Sequence, residues 1–344
     1  MTSKPKILIV YTGGTIGMVK DYKTKALKAF DFDQILHKIP ELQQLNCIID
    51  TISFKNPIDS SDMNIAYYIQ IAEIIADKYN DFDGFVVLTG SDTMSYVSSA
   101  ISFMFENLQK PVIFTGSQLP IGDLRTDAKE NLITSIEIAS AQNNGEPIIQ
   151  EVGLYFEYKL YRANRTTKIS AEHFQAFSSM NYPPLAESGV HLNFNHAILT
   201  ANTKKENKLI FRKRLCSNIV ILKLFPGITE AVIANYLNIK GLKGIVLETY
   251  GAGNAPTSEW FLKIIEKFIA NGVYIVNVTQ CSGGSVMPGH YETSTRLKDI
   301  GIVNGKDITT ESAVAKMMYL LGENLAKEEF KTYFEMPLRG EISA

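Results

Sequence analysis

Three hydroxyl-bearing turns and one lysine are the residues of this chain whose types and spacing suit covalent chemistry. Thr15 stands in Thr12-Gly-Gly-Thr-Ile-Gly17, where the glycines allow a tight turn and close backbone approach and leave a hydroxyl facing outward. Ser91 and Asp92 lie side by side in Gly90-Ser-Asp-Thr-Met94, and Asp59-Ser-Ser-Asp62 offers two further hydroxyls, Ser60 and Ser61, between carboxylates. Lys168 closes the polar stretch Arg162-Ala-Asn-Arg-Thr-Thr-Lys168. Taken singly, each has a plainer explanation: the Ser91 and Asp59 segments are good helix N-caps, and a lone lysine is usually a solvated charge. Taken together, they supply a hydroxyl nucleophile plus a hydroxyl, an amine and a carboxylate able to relay its proton, which is equipment for nucleophilic catalysis. A dinucleotide site at the first turn is the rival reading. It is weakened because the pattern is not G-x-G-x-x-G and no Gly-Lys-Ser/Thr follows.

Placing such residues falls to short apolar runs that end in these turns. Ile7–Tyr11 leads into the Thr15 turn, Phe85–Leu88 into the Ser91 turn, and Val112–Phe114 into Thr115-Gly-Ser117. Runs apolar on both faces and followed by helical periodicity predict parallel strands covered on both sides, with ligands outside their carboxyl ends. Helical patterns cover Met63–Tyr79, with Ile65, Ile69, Ala72, Ile75 and Ala76 on one face, and Thr126–Ala141, with Leu132, Ile136 and Ala139. A second set of runs, Ile219–Leu224, Gly244–Thr249 and Val273–Val278, alternates with helical patterns at Thr229–Leu237, Ser258–Ala270 and Thr310–Leu325. The expected fold is therefore α/β: a larger, doubly wound, mostly parallel sheet domain over 1–190 that carries the candidate residues, a linker over 191–215, and a smaller α/β domain over 216–344. The linker is placed on the polar stretch that holds Lys204-Lys-Glu-Asn-Lys208 and Arg212-Lys-Arg214.

Composition narrows the function classes. The 344 residues hold 34 Lys plus Arg against 36 Asp plus Glu, so the formal charge is 34 − 36 = −2, and neither nucleic acid nor an anionic membrane is an expected partner. The longest uncharged helical candidate, Thr93–Phe105, falls short of the roughly 18 residues that span a bilayer. Ile7–Tyr11 is too short for a signal-peptide core, so a cytoplasmic location is expected. Cys47, Cys216 and Cys281 lie too far apart to suggest a disulfide framework or zinc spacing, and Cys281 reads as a small, partly buried residue. The five histidines form no metal pattern, so neither metal nor cofactor is expected. No G-x-S-x-G supports a serine hydrolase.

The motifs TGGTIGM at 12–18, DSSDMN at 59–64, TGSDTMSY at 89–96, TGSQLP at 115–120, YRANRTTK at 161–168, YGAGNAP at 250–256, NVTQCSGG at 277–284 and LRGE at 338–341 span the chain. In that order they resemble the bacterial-type L-asparaginases, especially the cytoplasmic type I branch. The resemblance implies hydrolysis of L-asparagine to L-aspartate and ammonia, with Thr15 as nucleophile and Ser91, Asp92 and Lys168 as its relay. It further implies that Ser60 and Ser61 hold the substrate α-carboxylate, that Asp92 binds the α-ammonium, that Tyr22 lies on a lid, and that the protein is a homodimer or homotetramer. Two positions depart from the family. Ser91 replaces the usual threonine, keeping the hydroxyl but losing the methyl that stiffens χ1. Glu248 stands where allosterically regulated members carry arginine, so no effector regulation is expected. A non-catalytic asparagine sensor on the same fold and a glutaminase or amidotransferase-type ammonia donor are the alternatives.

Overall fold

The computed structural model describes residues 4–20, 27–29, 39–199, 208–236, 238–287, 289 and 292–343. The chain divides into two compact units, Met1–Lys213 and Arg214–Ala344.

The first unit is built on an eight-stranded sheet. Its strands are β1 (Lys6–Gly13), β2 (Ile48–Ile58), β3 (Gly84–Leu88), β4 (Val112–Thr115), β5 (Val152–Phe156), β6 (Lys159–Arg162), β7 (Ala186–Ser188) and β8 (Leu192–Phe194), in the spatial order β8-β7-β6-β5-β4-β3-β1-β2. The five from β5 to β2 are parallel and the other pairings antiparallel. β3, β4 and β5 are buried along their whole length, as the apolar runs at β3 and β4 predict. β2 is an edge strand whose outer positions carry polar residues, which hid it from a search for apolar runs, yet it delivers the chain directly to Asp59. The β5–β6 hairpin was equally silent in sequence. Its two-residue turn, Glu157-Tyr158, takes positive φ at both positions (48° and 68°) without glycine or asparagine, and the Glu157 amide donates to Asn131 Oδ1 at 3.1 Å.

Among the described residues, three helices flank this sheet. α1 (Ile65–Lys78) starts where Asn64 accepts the Ala66 amide at 3.0 Å, and it buries Tyr68, Ile71, Ala72 and Ile75. That stripe corrects the expected face: Ile65, Ile69 and Ala76 are only half-buried, because the i, i+3, i+4, i+7 set that meets the core begins at Tyr68. α2 (Met94–Met104) is buried all round apart from Tyr96. Its serines fit there because Ser98 donates to the Met94 carbonyl and Ser102 to the Ser99 carbonyl, both at 2.7 Å. α3 (Ala128–Ser140) buries Leu132, Ile136 and Ala139 as expected. Within the stretch expected as linker, β8 belongs to the first sheet and Ile210–Phe211 pairs with Phe105–Glu106. Arg212 and Lys213 of the basic run are ion-paired to Glu106 and Glu73.

The second unit has four parallel strands, β9 (Ile219–Lys223), β10 (Gly244–Thr249), β11 (Tyr274–Thr279) and β12 (Val303–Asn304), in sequential order. Helices α4 (Glu230–Tyr236), α5 (Glu259–Ala270), α6 (Glu292–Asp299), α7 (Thr310–Gly322) and α8 (Lys327–Glu335) complete it. Its closing segment is tied inward by a fully buried pair, Lys316 and Glu341; the Lys316 ammonium also donates to the Phe334 and Met336 carbonyls at 2.7 Å each. Cys281 is exposed rather than partly buried, since the turn after β11 turns it outward. Among the described residues, no helix is long and apolar enough to cross a membrane.

Candidate active site

The site forms where three turns at the carboxyl ends of β1, β2 and β3 press against one another. β1 ends at Gly13 and Gly14 follows it, both at positive φ, and a Cβ on Gly14 would fall 2.4 Å from the Gly90 amide nitrogen. A Cβ on Gly90 would in turn fall 2.5 Å from the Ser60 Cβ. These two glycines are therefore what lets the Thr15, Ser60 and Ser91 turns touch, and a side chain at either would push them apart. Thr12 fastens the first turn to the third by donating to the Leu88 carbonyl at 3.0 Å, and Thr93 fastens the third to the second by donating to the Ser60 carbonyl at 3.0 Å. Thr15 follows directly as the first residue of a single 3-10 turn and is half-buried.

Lys168 arrives on the segment that follows β6. The segment Ala163–Arg165 after β6 is buried, and the Thr166 hydroxyl donates to the Ala163 carbonyl at 2.7 Å and lies 3.0 Å from the Ser95 hydroxyl of α2. Asn164 donates to Ser102 Oγ at 3.1 Å. So the strand that carries Lys168 is docked along the helix that starts at the Ser91 turn. Its ammonium donates to Ser91 Oγ at 2.8 Å and to Asp92 Oδ1 at 2.6 Å. Lys168 is mostly covered, with 16% of its side chain exposed, whereas Asp92 is open, at 70%. The carboxylate thus keeps one face toward solvent while the amine sits between two acceptors.

In the second turn, Ser60 is buried and Ser61 is exposed. Asp59 Oδ1 accepts both the Ser61 amide at 2.9 Å and the Ser61 hydroxyl at 2.8 Å, and the amide bond foremost holds its carboxyl below the usual carboxylate range. The Ser61 hydroxyl is accordingly committed to Asp59, and a bound carboxylate would have to draw its hydrogen away. Beneath the first turn lies the Tyr11 phenol, pushed up to about 12 by burial and so neutral; a Cβ on Gly17 would come within 2.2 Å of its oxygen. Tyr22 lies outside the described residues. Among the described residues no cluster of His, Cys, Asp and Glu could hold a metal ion.

One residue that faces this cluster carried no role in the sequence. Gln118, in the turn after β4, accepts from Ser91 Oγ at 3.4 Å and donates through Nε2 to the His173 carbonyl at 3.0 Å. Its backbone is held by Asp127, which accepts the Gln118 and Leu119 amides at 2.9 and 3.1 Å. The available signal was positional: the Thr115-Gly-Ser turn, like the other two, ends a parallel strand at the ligand-binding edge.

Residues 6–200 match the family model described as Asparaginase, N-terminal, and residues 218–334 match the Glutaminase/Asparaginase C-terminal domain. L-asparaginase 1 of Escherichia coli (strain K12) is 39% identical over 345 residues, covering 99% of this chain and 98% of that one. The 60 kDa lysophospholipase of Mus musculus is 37% identical over 100% of this chain and 63% of its own length. The crystal structure of L-asparaginase I from Vibrio cholerae O1 biovar eltor str. N16961 superposes with a TM-score of 0.90 at 39% identity, covering 99% of this chain and 100% of the other. With both family models matched in order along one chain, and the full-length likeness in sequence and in fold, this protein belongs to the asparaginase family.

Proposed function

We propose that the protein is an L-asparagine amidohydrolase, releasing L-aspartate and ammonia. The observation that carries this reading is the contact of Lys168 with both Ser91 Oγ and Asp92 Oδ1, made beside the turn that presents Thr15. A carboxamide is a poor electrophile, so an attacking hydroxyl needs a proton acceptor and the developing oxyanion needs fixed donors. In this proposal Thr15 Oγ attacks the side-chain carbonyl carbon while its proton passes through the Ser91 hydroxyl to Lys168 in its neutral amine form. Backbone N–H groups of the Ser91 turn receive the oxyanion. The carbon–nitrogen bond then breaks, the nitrogen leaves as ammonia with the relayed proton, and water hydrolyses the resulting β-acyl ester to aspartate and free Thr15. Ser60 and Ser61 hold the α-carboxylate and the exposed Asp92 the α-ammonium. That division of labour uses the open face of Asp92, whose other oxygen is taken by Lys168.

The test is ammonia release from L-asparagine, L-glutamine and, because of the lysophospholipase relative, fatty-acid release from a lysophosphatidylcholine. Asparagine is expected to be turned over well above glutamine. Thr15→Val and Lys168→Met should each lose nearly all activity, and full activity in either variant would strip that residue of its catalytic role. Binding of asparagine without ammonia would establish a sensor instead. Homodimeric or homotetrameric assembly belongs to the same proposal, and the full exposure of Leu124 near the Gln118 turn is consistent with a covering subunit. So does a cytoplasmic location, which suits three free thiols.

A further inference from the structure

Gln118 holds a position that the proposed chemistry does not use but that its geometry depends on. Ser91 Oγ accepts a hydrogen from Lys168 at 2.8 Å, so its own single hydrogen must point elsewhere, and Gln118 Oε1, at 3.4 Å, is the acceptor that faces it. The same carboxamide turns its NH2 to the His173 carbonyl at 3.0 Å, and His173 lies in the loop that follows Lys168 and returns to pair Phe177 with Lys168. The amide cannot flip without losing both bonds, because Oε1 needs a donor and the carbonyl needs one too. Its backbone is fixed as well: Asp127, 8% exposed, accepts the Gln118 and Leu119 amides, and Asn131 donates to Asp127 Oδ2 at 3.2 Å.

Thr166 against Ser95 secures the chain just before Lys168; Gln118 against His173 secures it just after. Resting on the Ser91–Lys168 relay proposed above, we infer that Gln118 is a positioning residue that orients the Ser91 hydroxyl and fixes the Lys168 loop relative to it. With Lys168 charged, the Ser91 hydrogen rests on Gln118 and a Ser91 lone pair faces Lys168. For Ser91 to pass a proton to a neutral Lys168, that hydrogen must swing from Gln118 to Nζ, so the Gln118 contact is one that must be weak enough to break, as its length is.

Two variants separate this role from bulk packing. Gln118→Met keeps the volume and removes both bonds. Gln118→Glu keeps an acceptor for Ser91 and, while ionised, has no hydrogen for His173; once protonated it regains one. For asparagine hydrolysis, Gln118→Met should lower kcat about tenfold with KM within about threefold and little change in the thermal midpoint. Gln118→Glu should be impaired at pH 8, and its kcat relative to the wild type should rise as pH falls into the carboxylate range. A kcat for Gln118→Met within twofold of the wild type, or a pH-independent ratio for Gln118→Glu, would overturn the inference while leaving the asparaginase reading intact. A wild type that releases no ammonia would instead sink that reading. The inference would still be decided by crystal structures of Gln118→Met, where a Lys168–Ser91 contact and a 169–176 loop unmoved from the wild type would refute it.

Discussion

At the residue scale, the serine at position 91 decides how the proposed relay is held. A threonine there would have its χ1 confined by the γ-methyl, while serine leaves the hydroxyl to be oriented by its neighbours. Those neighbours are Lys168 and Gln118, one on each side, so partners replace the stiffness that a β-branch would have given. Ser91→Thr is therefore expected to keep or raise kcat in the asparagine assay. A loss of more than about a hundredfold, about 2.7 kcal/mol of transition-state stabilisation, would mean that the added methyl collides with the packed turns. The Ser61 hydroxyl shows the same dependence on partners from the other direction: its residue type suits carboxylate binding, but Asp59 already takes its hydrogen.

At the element scale, the hairpin from β5 to β6 matters because it reverses the chain and sends it back toward the Ser91 helix with Lys168 in tow. Glu157 and Tyr158 both occupy the left-handed region, where a side chain costs roughly 1 kcal/mol per residue. The turn survives because the sheet pairing on either side and the bond to Asn131 hold it. Replacing the pair as Glu157→Asn with Tyr158→Gly should raise the thermal midpoint by a few degrees without changing kcat, and calorimetry on the double variant measures it. A lower midpoint would show that the Glu157 and Tyr158 side chains contribute more than their backbone strain removes. Near the same turn, Tyr155 donates to Glu130 at 2.5 Å, and burial is the main cause that pushes the Glu130 carboxyl up.

At the scale of the whole molecule, each unit has its own core. The second unit closes with Lys316 and Glu341, both with no exposed surface. Glu341 also accepts the Leu338 and Arg339 amides, at 3.0 and 2.7 Å, so the carboxylate is satisfied by the segment it ends. Removing only the cation leaves that anion buried, and Lys316→Met should cost about 3–5 kcal/mol of unfolding free energy in urea. Burial pushes Lys316 down from 10.5 to about 8, with the Glu341 charge pulling the other way. A folded value below the unfolded one means that the folded state releases this proton first, so this residue makes stability rise as pH climbs from about 8 to 10.5. That slope should be absent in Lys316→Met; an unchanged slope would place the titration elsewhere.

The turns were legible in the sequence because they are local: glycine beside hydroxyl at the end of an apolar run constrains the backbone within a few residues, whatever the rest of the chain does. Strand β2, the antiparallel extension and the Glu157-Tyr158 turn were not legible, since an edge strand needs no apolar run and sheet pairing can hold a turn its own residues disfavour. That Lys168 would join Ser91 and Asp92 came from the family resemblance and not from local pattern, and the tertiary structure decided how the groups meet. Lys168 reaches Ser91 across 77 residues, and Gln118 joins Ser91 to His173 across 27 and 55, by contacts that no short-range pattern encodes. Local propensity fixes what each segment presents, and only the packing of helices against the sheet fixes what it is presented to.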